Sequence, residues 1–115
     1  MQTLIDTELI EFNGWTLRAR PGKDSKRFML LIHGFTGDEN SMWVFAQGLS
    51  PNCWIIAPRA PHAAESGGFT WRPIHGPDFG KPSLDQLRAP AEALIQLVDA
   101  YQASTGVDAS TFDVM

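Results

Sequence analysis

Two short, almost wholly apolar runs constrain this chain most: "FMLLI", Phe28 to Ile32, and "CWIIA", Cys53 to Ala57. Neither run alternates apolar with polar residues, so neither reads as a strand with one wet face. Each has the pattern of a strand buried on both faces, which is the pattern of a parallel sheet. Between them, "NSMWVFAQGL" puts Trp43, Phe45, Ala46 and Leu49 at the apolar positions of a short helix, with Asn40 or Ser41 as its cap. Strand, helix and strand joined by short links form a βαβ crossover, which is right-handed in nearly all proteins.

The flanking segments extend the same sheet. In "ELIEFNGWTLRAR", two runs of strand character enclose Asn13-Gly14, the pair suited to a type I′ turn because both central residues need positive φ. An antiparallel hairpin is expected at Glu8–Phe12 and Trp15–Arg20, with residues 21–26 as a polar connection. Residues 58–82, rich in Pro, Gly and His, read as a long loop, and long ordered loops are usually functional. A helix follows. Ser83 and Gln86 make a capping box, and Leu87, Ala91, Leu94, Ile95, Val98 and Tyr101 keep helical spacing. Pro90 is expected to kink or restart this helix, and Gly106 to cap its end. Thr111 to Met115 begins a third parallel strand. The fold class is α/β: an antiparallel N-terminal hairpin followed by three parallel strands with crossover helices.

Bulk properties exclude several functions. The chain has 115 residues, enough for one domain that buries roughly two-thirds of its unfolded surface. Hydrophobic content is 43% and charged content 19%, as in ordinary globular chains. A formal net charge of -4 with no basic stripe argues against nucleic acid and anionic membranes as partners. No apolar run approaches the ~20 residues of a membrane span. The start, "MQTLIDTELIEF", lacks the basic region and apolar core of a signal peptide. The single cysteine, Cys53, lies in an apolar strand and reads as a buried structural thiol. With no leader, it points to a reducing, cytoplasmic home. His62 and His75 lack close-spaced ligand partners, so no metal and no cofactor are expected.

The first apolar run leads into "HGFTGD", a polar turn with two glycines. Such a strand exit has two readings. It presents a backbone N–H to a ligand, or it is a plain exit whose imidazole bonds a neighbouring backbone group. Four segments in order, "LLIHGFTGDENSMW", "IIAPRAPH", "GGFTWRPI" and "GVDASTFDVM", resemble the N-terminal half of an α/β-hydrolase of the phospholipase/carboxylesterase family, which includes acyl-protein thioesterases. The resemblance covers nearly the whole chain. It implies that residues 1–115 are the N-terminal half of a single hydrolase domain. It also implies that the backbone N–H of Phe35 forms part of an oxyanion hole. There, preorganised donors stabilise a tetrahedral intermediate by ~3–4 kcal/mol each. Gly34 and Gly37 would let the turn tighten so that this donor faces the site. The resemblance makes His33 a structural part of the loop, not the catalytic base. Trp71 matches an aromatic position beside the acyl pocket; it either lines an apolar cleft or pins its own loop to the sheet. Arg59 reads as structural, satisfying carbonyls where the loop leaves the strand.

A serine hydrolase of this fold needs G-x-S-x-G on a sharp strand-to-helix turn, then Asp and His. That motif occurs nowhere in the chain. "AESGG" around Ser66 lies well past its strand and has no helix after it, and Ser110 is followed by strand residues. The triad is therefore expected to be absent, and the chain inactive alone. It is expected to belong to a larger hydrolase as a truncated product, a fragment or one half of a two-chain enzyme. Its partners are then an acyl-ester or thioester substrate in the complete protein, and either a complementary C-terminal half or a second copy meeting the strand at Thr111–Met115. The competing class is a non-catalytic module used for binding or self-assembly.

Overall fold

The computed structural model describes residues 7–22, 24–34, 36–49, 53–65, 67–71, 84–106 and 111–114. The chain begins with β1 (Glu8–Phe12) and β2 (Trp15–Arg20), antiparallel with Phe12 opposite Trp15. Asn13 and Gly14 have φ of 50° and 83°, both positive as the two-residue turn requires. Next come β3 (Asp24–Leu30), a 3-10 turn (Trp43–Gly48) and β4 (Cys53–Pro58). A small hairpin, β5 (His62–Ala63) with β6 (Phe69–Thr70), precedes α1 (Leu84–Thr105) and β7 (Thr111–Val114).

The main sheet has the order β1-β2-β4-β3-β7. β2 meets β4 antiparallel, whereas β3 runs parallel to β4 on one side and to β7 on the other. Successive residues of the buried strands serve opposite faces. Phe28, Leu30 and Ile56 pack with Leu17, Ala19 and the α1 residues Leu97, Val98 and Tyr101. Met29, Leu31, Ile55, Ala57 and Cys53 pack with Trp43 and Ala46 of the 3-10 turn. The segment leaving β3 therefore crosses one face and the segment leaving β4 supplies the other. In α/β sheets the carboxyl ends of strands whose following elements pack on opposite faces are where ligands usually bind.

Five local expectations are corrected. β3 begins at Asp24, inside the stretch read as a connection, because its backbone already pairs with β4 at Cys53 before a register shift. The short helix is a 3-10 turn capped at Met42 with no side-chain hydrogen bond, so neither Asn40 nor Ser41 caps it. Ser41 Oγ instead accepts from the Asp38 N–H at 2.9 Å, closing the preceding turn. Phe45 is exposed, since only Trp43 and Ala46 of that turn face the sheet. Pro90 lies inside α1, which continues through it from Leu84 to Thr105 and does not restart there. The docked residues Leu97, Val98 and Tyr101 hold the helix to the sheet beyond the backbone bond that proline cannot donate. Ile95 is 61% exposed, and the buried position is the unforeseen Leu97. At the far end Gly106 has φ 78° and donates its N–H to Gln102 O at 2.9 Å, as a C-terminal glycine should. Ser83 lies outside the described residues.

Candidate functional site

His33 leaves the carboxyl end of β3 and is buried. The Ala60 N–H donates to its Nε2 at 3.0 Å, so that nitrogen carries a lone pair and no proton. Nδ1 therefore carries the hydrogen and donates to Gly34 O at 2.7 Å. Both ring nitrogens are used, and the imidazole staples the exit of β3 to the exit of β4. That leaves no nitrogen for proton transfer to a substrate. The plain reading of the imidazole, bonded to neighbouring backbone, is the observed one.

The turn after His33 is bound at almost every amide. Gly37 N–H donates to Gly34 O at 3.0 Å, and Thr36 N–H donates to Phe69 O at 3.0 Å. Phe69 N–H returns a bond to Gly37 O at 2.9 Å, so the turn and the β5–β6 hairpin are zipped together. Asn40 N–H donates to Asp38 Oδ1 at 2.8 Å, and Ser41 N–H to Asp38 O at 3.2 Å. The N–H groups of Thr36, Gly37 and Asp38 are thus committed within the protein. Phe35, the expected oxyanion donor, lies outside the described residues.

The two glycines close the turn, Gly37 N–H bonding Gly34 O, but only one of them is sterically required. Gly34 has no positive φ, and a Cβ there would meet nothing within 4 Å. Gly37 is required by close approach: a Cβ would lie 2.9 Å from Ser41 Oγ and 3.0 Å from His33 Nδ1. The left-handed backbone sits instead on Thr36, at φ 65°. For a β-branched residue this is a genuine outlier. Gly68, itself at φ 69°, lies so close that a Cβ there would overlap the Thr36 carbonyl.

Charge completes the frame. Arg59 donates from Nε and Nη2 to the two oxygens of Glu39, at 2.8 and 3.0 Å. Its guanidinium carbon lies 4.6 Å from the centroid of the Phe69 ring. The Arg59 hydrogen bonds hold the buried Glu39 carboxyl below its ordinary value, against the opposing effect of desolvation. Arg59 is structural, as expected, but among the described residues its side chain bonds a carboxylate where carbonyls were expected. Glu39 O also accepts from Trp43 Nε1 at 2.8 Å, and Asn40 Oδ1 accepts from Arg18 Nε at 2.6 Å. A pair twenty residues apart leaves no trace in sequence spacing. The Gly67-Gly68 doublet was the one available signal of close backbone approach.

Trp71 is half-buried and donates from Nε1 to His33 O at 2.8 Å. Its ring lies 5.1 Å from that of His33 and 6.3 Å from that of Trp15. This bond pins its loop to the exit of β3. His62 is exposed in β5 and Cys53 is a buried free thiol. His75, Ser66 and Ser110 lie outside the described residues. Among the described residues no group of three His, Cys, Asp or Glu is placed to hold a metal, and no helix is long and apolar enough to cross a membrane.

No protein-family model and no curated relative matches the chain. Solved structures do. A carboxylesterase from Mesorhizobium loti superimposes with a TM-score of 0.74 at 18% identity, over 95% of this chain and 51% of that one. Esterase PE8 does so with a TM-score of 0.65 at 17% identity, over 96% of this chain and 51% of its own. At such identity the likeness is one of fold alone. The chain has an esterase-like α/β fold and spans about half the length of these structures.

Proposed function

We propose that this chain is the N-terminal part of a serine carboxylic-ester hydrolase of the phospholipase/carboxylesterase type, acting on an acyl ester or thioester. It supplies an oxyanion-hole donor, the Phe35 N–H, and is not catalytic by itself. The observation that carries this reading is the clamped turn at the carboxyl end of β3. The Thr36, Gly37 and Asp38 amides are spent on internal acceptors, and the turn is fastened to β4, to the β5–β6 hairpin and to β2. Oxyanion stabilisation needs donors that do not reorganise as charge develops, and a turn fastened on three sides meets that requirement. Trp71, anchored at its polar edge, is assigned to the wall of the acyl site, where ester chains need apolar surface. The nucleophile, its Asp and its His come from a complementary half, and the complete enzyme works in the cytoplasm without a cofactor.

Intact mass before and after a fluorophosphonate serine probe tests this. The chain alone should remain a single unmodified species near 12.7 kDa. Mixed with a C-terminal half carrying the serine elbow, the adduct should form on that half. Phe35→Pro, which deletes the donor N–H, should then slow adduct formation by about a hundredfold, while Phe35→Ala should not. An adduct on this chain itself would overturn the assignment of the nucleophile to the other half. Stable self-association with no adduct in any mixture would favour a non-catalytic module.

A further inference from the structure

We propose that Arg59 is the positioning residue of the Gly34–Gly37 turn, a role that gains its catalytic meaning from the oxyanion reading above. Two segments meet on the Arg59 side chain, and a third holds its backbone. Its fork holds both oxygens of Glu39, two residues beyond the turn. Its flat face covers Phe69, whose backbone oxygen holds the Thr36 N–H and whose N–H holds Gly37 O. Its own N–H is bonded to Thr16 O of β2 at 2.8 Å, which fixes the side chain's root to the main sheet.

The turn needs such a brace. Thr36 is held in the left-handed region, and strained conformations persist only where the surroundings over-determine them. The two bonds to Phe69 and the exclusion by Gly68 supply that constraint only while the β5–β6 hairpin stays in place. The hairpin is two residues on each strand, too short to be stable by itself. Arg59 ties it to Glu39, and so links hairpin and turn through a second set of contacts besides the His33 staple. Lysine cannot replace it. An ammonium is a point charge with neither the planar fork for two carboxylate oxygens nor the flat face for an aromatic ring.

The test is residue-resolved amide hydrogen exchange, with chemical shifts, on the 115-residue chain and its Arg59→Lys and Phe69→Leu variants. Arg59→Lys should speed exchange at the Thr36 and Gly37 amides by about tenfold or more, because their protection comes from local opening. The Thr36 Cα and Hα shifts should lose the signature of positive φ. Exchange at Ile55 and Ile56 in β4 should not change. Phe69→Leu, which removes only the ring beneath the guanidinium, should move the same two amides in the same direction. Unchanged Thr36 and Gly37 amides in both variants would overturn the proposal. So would acceleration that runs in step with β4, including outright unfolding, since that marks a general stabiliser. The readout involves no ester chemistry, so it can fail while probe labelling of the complete hydrolase succeeds, and the reverse.

Discussion

The backbone of Thr36 adopts φ 65° because Gly68 leaves room for its carbonyl and Phe69 holds its N–H. Alanine at position 68 puts a Cβ onto that carbonyl at a residue whose own φ is 69°. Gly68→Ala should therefore cost about 3 kcal/mol of stability by urea denaturation. Gly34→Ala, entering open space at an ordinary φ, should stay within about 1 kcal/mol of the parent. Reversal of that order would show that the turn is held differently. Glu39 gives a pH test. Its carboxyl ionises below the ordinary 4.5 in the folded chain, chiefly through its hydrogen bonds to Arg59. The pair thus stabilises fully above the unfolded value, and its contribution falls away as pH drops through the folded value. Glu39→Gln should cost about 2 kcal/mol at neutral pH, with the deficit closing as acid protonates the folded carboxyl, below its ordinary value. A deficit constant with pH would mean that packing, not the ion pair, is what the glutamate supplies. Little of this was legible in the sequence beyond the glycines themselves. Glycine at 34 and 37 announced a tight turn, but the strained residue proved to be the threonine between them, because the constraint comes from a hairpin thirty residues away.

At the scale of elements, hairpin chemistry is local and the sequence carries it in full: Asn13-Gly14 sets both the turn and the register of β1 on β2. Helix docking is not local. Period alone marked Ala91 and Ile95 as readily as Val98, and only the packed structure separates exposed Ile95 from buried Leu97. Tyr101 shows what selects the face. Its ring meets Phe12, Phe28 and Trp54 edge-on, and its hydroxyl accepts from Trp54 Nε1 at 2.9 Å. One side chain thus joins α1 to β1, β3 and β4. Tyr101→Phe keeps the ring but orphans the indole N–H, so it should cost about 1–2 kcal/mol. Tyr101→Ala removes the ring as well and should cost about 3–5 kcal/mol. Thermal unfolding followed by near-ultraviolet circular dichroism reads both. Equal losses would mean that α1 docks through Leu97 and Val98 alone.

Across the whole molecule, the apolar runs specified which segments are strands, and the order β1-β2-β4-β3-β7 specifies what they build. The elements that follow β3 and β4 pack on opposite faces of the sheet, while the segments just beyond the two strands are bonded to each other. The same order leaves β7 last, with β3 as its one neighbour among the described residues and Val114 56% exposed. A strand whose other edge has no neighbour among the described residues can offer that edge's backbone donors and acceptors to another chain. A complementary half or a second copy, the partners proposed for the strand at Thr111–Met115, would pair there. Sedimentation velocity should therefore show concentration-dependent association of the chain alone. A charge at the edge opposes strand addition, so Val114→Lys should weaken that association without altering the far-ultraviolet spectrum. A complementary half added in excess should convert the self-associated species into a one-to-one complex. A chain that stays monomeric at high concentration, with and without the half, would remove the edge as a docking surface, and the exposed valine would then be an ordinary surface residue.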